Sequence, residues 1–171
     1  MGHRGVAEIP VSLASLQAAL RGVHRLALDT SVWLAASDPD DPRRSSARWL
    51  LEEVERGRFA LTVISTLTVA EALVRAVGAS FEEGATAQTA LRIFPTLTIA
   101  PLDFDTAVEV AHVRGATKQK MPDAIVLGTA IAQRVDALVH ADKEWVTRAE
   151  PYASALKIIY LGGATGRRRS P

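Results

Sequence analysis

Four carboxylates in this chain fall where apolar strand-like runs meet helical segments: Asp29 in LALDTSVW, Glu71 in ISTLTVAEAL, Asp123 in KQKMPDAIVLGTA and Asp142 in ALVHADKEW. Each has an ordinary structural explanation. Asp29 before Thr30 and Ser31 is N-cap chemistry. Glu71 is spaced to close a capping box with Thr68 or to pair with Arg75. Asp123 after Pro122 suits the first turn of a helix, and Asp142 suits an Asx turn. Taken together they imply more. Carboxylates gathered at one edge of a parallel sheet repel one another and raise each other's pKa. A divalent cation removes that conflict, and hard all-oxygen ligation suits Mg²⁺ or Mn²⁺. The four histidines, His3, His24, His112 and His140, show no paired spacing for zinc.

The elements that must position these acids follow from the hydrophobic pattern. Short apolar, β-branched runs at 25–29, 59–65, 96–102, 137–141 and 157–161 predict five strands. Segments 31–37, 43–57, 67–78, 81–93, 104–115 and 122–134 predict helices, bounded by Ser, Thr, Asp, Pro or Gly. Such alternation predicts an α/β fold with a mainly parallel five-stranded sheet flanked by helices in three layers. Ligands of such sheets bind at the carboxyl ends of the strands, which is where the four acids fall. Residues 1–24 read as an N-terminal extension with Leu13, Leu16 and Leu20 on one face of a short helix, 25–161 as the domain, and 162–171 as a basic tail.

The composition narrows the chemistry. The 171 residues are 48% apolar, enough for one core without staples. The chain has no cysteine, which excludes disulfides, thiolate zinc sites, iron–sulfur clusters and cysteine nucleophiles. The longest mostly apolar stretch, 61–74, carries Ser, Thr and Glu and falls short of a membrane span. The N-terminus has no continuous apolar segment before a small-residue cleavage site, so a cytoplasmic location with no membrane partner is expected. The formal net charge of +1 hides an uneven distribution, because Arg167, Arg168 and Arg169 close the chain and the body between residues 26 and 166 is acidic.

The stretches DTSVW at 29–33, VAEAL around Glu71, MPDAIVLGTA at 121–130 and LVHADKEW at 138–145 resemble PIN-domain ribonucleases. More narrowly they resemble the VapC-type toxins of toxin–antitoxin pairs, over about residues 25–161. The resemblance implies that Asp29, Glu71, Asp123 and Asp142 form the acidic metal site, with Asp29 and Asp123 foremost. It also implies endonucleolytic RNA cleavage leaving a 5′-phosphate and a 3′-hydroxyl, an RNA substrate such as transfer RNA, a cognate antitoxin protein and a homodimer. Translation would be the process inhibited. Two positions depart from the pattern. His140 stands where Thr is common, so Thr30 or Ser31 is expected to supply the missing hydroxyl near the metal. Trp145 stands where Phe is usual, which reads as core packing.

Substrate phosphates need cations beside an acidic cleft. Lys118 and Lys120 precede Asp123, and Arg43 and Arg44 open the second predicted helix, so these four are the expected RNA contacts. Aromatic residues make up only 5% of the chain, which points to recognition of a folded RNA by shape rather than by stacking on splayed bases. Trp33 and Trp49, with Leu34, Leu50 and Leu51, could line an antitoxin groove or belong to the core. Two other classes compete: a PIN-like binding module without activity, and a phosphotransfer domain. Haloacid-dehalogenase-like phosphatases want a second Asp two positions after the first, where this chain has Ser31. Receiver domains want an early paired acid that is absent.

Overall fold

In the computed structural model, residues 13–161 apart from Lys143 are described. The basic tail expected at 162–171 lies outside the described residues, as does the first part of the N-terminal extension. The described elements run α1 (Leu13–Ala19), β1 (Arg25–Leu28), α2 (Thr30–Ser37), α3 (Arg44–Glu55), β2 (Leu61–Ser65), α4 (Thr66–Ala79), α5 (Phe81–Ile93) and β3 (Leu97–Ala100). They continue with α6 (Phe104–Thr117), α7 (Met121–Ala132), β4 (Ala137–His140), α8 (Glu144–Arg148), a 3₁₀ turn at Glu150–Tyr152 and β5 (Lys157–Tyr160). The α/β architecture expected from the sequence is the observed one.

All five strands are parallel, in the order β3-β2-β1-β4-β5. Successive side chains of a strand point to opposite faces, so an apolar run with both faces covered divides itself between two cores. Leu26, Leu28, Ile64, Ala137, Val139 and Ile159 enter one core, which α2 and α3 complete with Val32, Ala47 and Leu50. Ala27, Val63 and Leu138 enter the other, where α6, α7 and α8 contribute Val110, Val113, Leu127 and Trp145. Three layers result. The described part of the N-terminal extension belongs to the first core, through Leu16, Leu20 and Val23.

The two central strands are tied at their starts. Asp136 Oδ2 accepts the backbone N–H groups of His24 and Arg25, each at 2.8 Å. Arg25 also donates to the carbonyls of Gln133 and Arg134, at the end of α7. Helix α7 therefore finishes at the amino edge of the sheet, and its 12 residues, about 18 Å of helix, start at the carboxyl edge. Asp123 lies in that first turn. Helices α6 and α7 approach closely at Gly128, where a Cβ would stand 2.9 Å from the Val110 Cα.

Candidate active site

Asp29 follows β1 directly. Its backbone N–H donates to the Val139 carbonyl of β4 at 3.0 Å. It caps α2, its carboxylate accepting the Ser31 N–H at 3.2 Å. The Ser31 hydroxyl donates to the same carboxylate oxygen. Burial pushes the Asp29 carboxyl above its ordinary range, the negative charge of Glu71 pushes in the same direction, and the Ser31 hydrogen bonds oppose both. N-cap chemistry and proximity to a second acid are thus both present at one residue.

Glu71 sits in the second turn of α4. The cap of that helix is Ser65, whose Oγ accepts the Thr68 N–H at 3.0 Å, so Glu71 closes no capping box. Instead Glu71 Oε2 accepts the Thr30 hydroxyl at 2.5 Å. The two hydroxyls that follow Asp29 have separate tasks. Thr30 reaches across to α4. Ser31 Oγ accepts the backbone N–H of Ala141 at 2.9 Å, tying Asp29 to the residue before Asp142.

Asp123 and Asp142 form a second pair. Burial is the largest influence raising the Asp123 carboxyl above its usual range, and the charge of Asp142 adds to it. A hydrogen bond from the Trp145 side chain works the other way, as do the charges of Lys120 and Arg148. His140, at the end of β4, is fully buried, and neither ring nitrogen has a hydrogen-bond partner. Burial depresses its pKa to about 4 against the pull of Asp142, so the ring is neutral. It stacks on Trp145 at 5.1 Å between centroids.

The expected cations divide. Lys118 and Lys120 are exposed on the loop into α7, Lys118 in the left-handed conformation at the end of α6. Arg114, Gly115 and Lys118 line an open depression of about 430 Å³. Arg43 is spent within the protein: its Nε and Nη2 donate to Asp41 at 2.8 and 2.6 Å, and its Nη1 donates to the Ala141 carbonyl. The Arg44 Nε is buried without a partner. Two participants were not among the expected site residues. Trp145 reads from sequence as an apolar ring, and Arg148 reads as one more charge on a short helix. Only the spacing from Asp142 to Trp145 hinted that the ring lies near an acid.

The donor set suits a hard divalent cation, since it is all oxygen and two of its acids are raised by burial and by a neighbouring acid. The acids are held as two pairs, Asp29 with Glu71 and Asp123 with Asp142. Among the described residues no three acidic or histidine side chains are already gathered into an ion site.

The PIN-domain family profile matches residues 26–151, most of the chain and all four acids. The chain belongs to the PIN-domain family. Solved structures share the PIN fold at low identity. A toxin–antitoxin complex from Klebsiella pneumoniae is 22% identical with a TM-score of 0.59, covering 81% of this chain and 99% of that one. FitAcB from Neisseria gonorrhoeae is 19% identical with a TM-score of 0.60, covering 80% and 97%. VapC20 from Mycobacterium tuberculosis, a sarcin–ricin loop cleaving toxin, is 14% identical with a TM-score of 0.57, covering 71% and 93%. No curated protein sequence matches this PIN-domain chain. Among the described residues no helix is long and apolar enough to cross a membrane.

Proposed function

We propose that this PIN-domain chain is a metal-dependent endoribonuclease and the toxin of a toxin–antitoxin pair. The observation that carries the reading is the meeting of two acid pairs at the carboxyl edge of the sheet, joined through Ser31 to Asp29 on one side and to Ala141 on the other. Asp29 and Asp123 would be the first ligands of Mg²⁺ or Mn²⁺, with Glu71 and Asp142 completing the set. A bound ion supplies charge neutralisation at a scissile phosphate and a more acidic water. The residues around it have their own tasks. Thr30 orients Glu71, Ser31 orients Asp29, and the neutral His140 supplies packing without charge. Lys118 and Lys120 offer phosphate contacts beside Asp123.

A toxin needs a partner that silences it, and toxin–antitoxin complexes among the structural neighbours support an antitoxin here. Leu50 is fully buried and belongs to the core, whereas Trp33, Trp49 and Leu51 are half-buried around it and remain the groove candidates. A homodimer is supported by exposed apolar side chains, above all Phe81 at 93% and Phe104 at 81% exposure.

The test is cleavage of total RNA with and without Mg²⁺ or Mn²⁺, with fragment ends mapped, for the wild type and Asp123→Asn. Metal-dependent products with 5′-phosphates, lost in the variant, are expected. Absence of both cleavage and millimolar metal binding would leave a PIN-like binding module.

A further inference from the structure

The two positions at which the chain departs from its family's pattern, His140 and Trp145, touch each other. Their rings are nearly parallel at 26°, and Tyr160 flanks His140 at 5.9 Å between centroids. Trp145 is 1% exposed. Packing alone does not call for an indole, because a benzene ring would also lie flat on a neutral imidazole. The indole adds one donor, its N–H, which needs an acceptor when buried. That acceptor is the Asp123 carboxylate. The Trp145 backbone N–H also reaches back to the Asp142 carbonyl at 3.4 Å, so one residue touches both acids of the second pair.

We propose that Trp145 is a positioning residue of the acidic site: its N–H fixes the Asp123 carboxylate and leaves the second oxygen for the cation, while the His140 stack fixes the indole. This deepens the metal-dependent reading and rests on it. The physical ground is general. Carboxylates that ligate metals are themselves held by hydrogen-bond donors, and loss of such a donor typically weakens metal affinity by about 10–100-fold. The rigid two-torsion indole, clamped in a stack, gives up little freedom in making the bond.

The experiment replaces Trp145 in the full chain with benzothienylalanine, which keeps the bicyclic shape and deletes the N–H, and separately makes W145F. Mn²⁺ affinity is measured by calorimetry alongside thermal unfolding. Exchange protection of the Trp145 indole N–H is followed by NMR in metal-free wild type, D123A and D123N. The isostere is expected to keep the wild-type melting temperature and bind Mn²⁺ about tenfold or more weakly. The indole N–H is expected to be protected in the wild type and to lose protection in D123A. Wild-type Mn²⁺ affinity in the isostere would overturn the proposal. If the wild type binds no Mn²⁺, the metal reading falls by itself. Exchange then decides the contact, and equal protection in the wild type and the Asp123 variants overturns it.

Discussion

The Thr30 hydroxyl donates to Glu71 Oε2 across 2.5 Å, joining the helix after β1 to the helix after β2. Thr30 is buried, and valine has nearly its shape, so T30V isolates the hydrogen bond. Bonds to charged groups contribute about 1.5–3 kcal/mol. T30V is expected to lower the melting temperature by several degrees and to reduce RNA cleavage by misorienting Glu71. Scanning calorimetry and cleavage rates check both; an unchanged melting temperature would show that the bond carries no stability.

Asp29 is a carboxylate that the folded state holds partly against its charge. A raised folded pKa means stability that is full at acid pH and lost as pH rises through the folded value. D29N removes the charge and keeps a good N-cap side chain. In metal-free buffer at neutral pH it is expected to melt higher than the wild type while losing at least about 100-fold in cleavage rate. Added Mg²⁺ should close the melting gap by stabilising the wild type alone. D29N melting below the wild type in chelator would refute the electrostatic account.

His140 sets an acid limit of opposite origin. Its ordinary value of 6.5 falls to about 4 on folding, so between those values the unfolded chain binds more protons. Stability therefore declines as pH falls from about 6.5 to about 4 and the contribution is constant below. The full span corresponds to about 3 kcal/mol. Urea unfolding in chelator across this range should show the slope, and H140F should flatten it; parallel profiles for the two proteins would contradict the assignment.

At Gly128 the added methyl of an alanine would meet the Val110 Cα and backbone nitrogen, both at 2.9 Å. Backbone cannot step aside as a side chain can. G128A is expected to cost about 1–3 kcal/mol by forcing α6 and α7 apart. V110A should restore little of it, because most of the collision is with main-chain atoms. Denaturant midpoints measure both; full rescue by V110A would place the collision at the valine side chain.

Lys118 and Lys120 are exposed, whereas the Arg43 guanidinium is consumed by Asp41 and Ala141. Reversing both lysine charges is expected to weaken RNA binding and to reduce the slope of log affinity against log salt by roughly 0.7–0.9 for each phosphate no longer neutralised. R43Q should leave that slope alone and destabilise the fold. Filter binding at a series of salt concentrations separates the two; an unchanged slope in the double lysine variant rejects these contacts.

The parts of the fold that sequence reveals are those governed by local pattern. Helix α5 spans Phe81–Ile93 as the periodicity predicts, and each strand lies within its predicted run, trimmed by one to a few residues where the next helix or turn begins. Helix α8 escapes, since five residues are too few to show a period. The four acids were visible as types at strand ends, but their arrangement as two pairs was not. Pairing depends on Thr30 and Ser31 facing different neighbours, and adjacent helical residues give no hint of that division. Arg43 reads as a free cation until Ala141, distant in sequence, takes one of its donors. Trp145 reads as bulk because no local pattern reveals what its single N–H touches.

The strand order carries a consequence for the timing of activity. β1, which precedes Asp29, lies between β2 and β4, and β4 precedes Asp142. Ribosomal synthesis delivers β2 long before β4, so the growing polypeptide can pair β1 on one side only and holds half of the acidic set. Contacts this distant along the chain form late. The lag leaves an interval in which an antitoxin can capture the nascent protein before it is able to cut RNA.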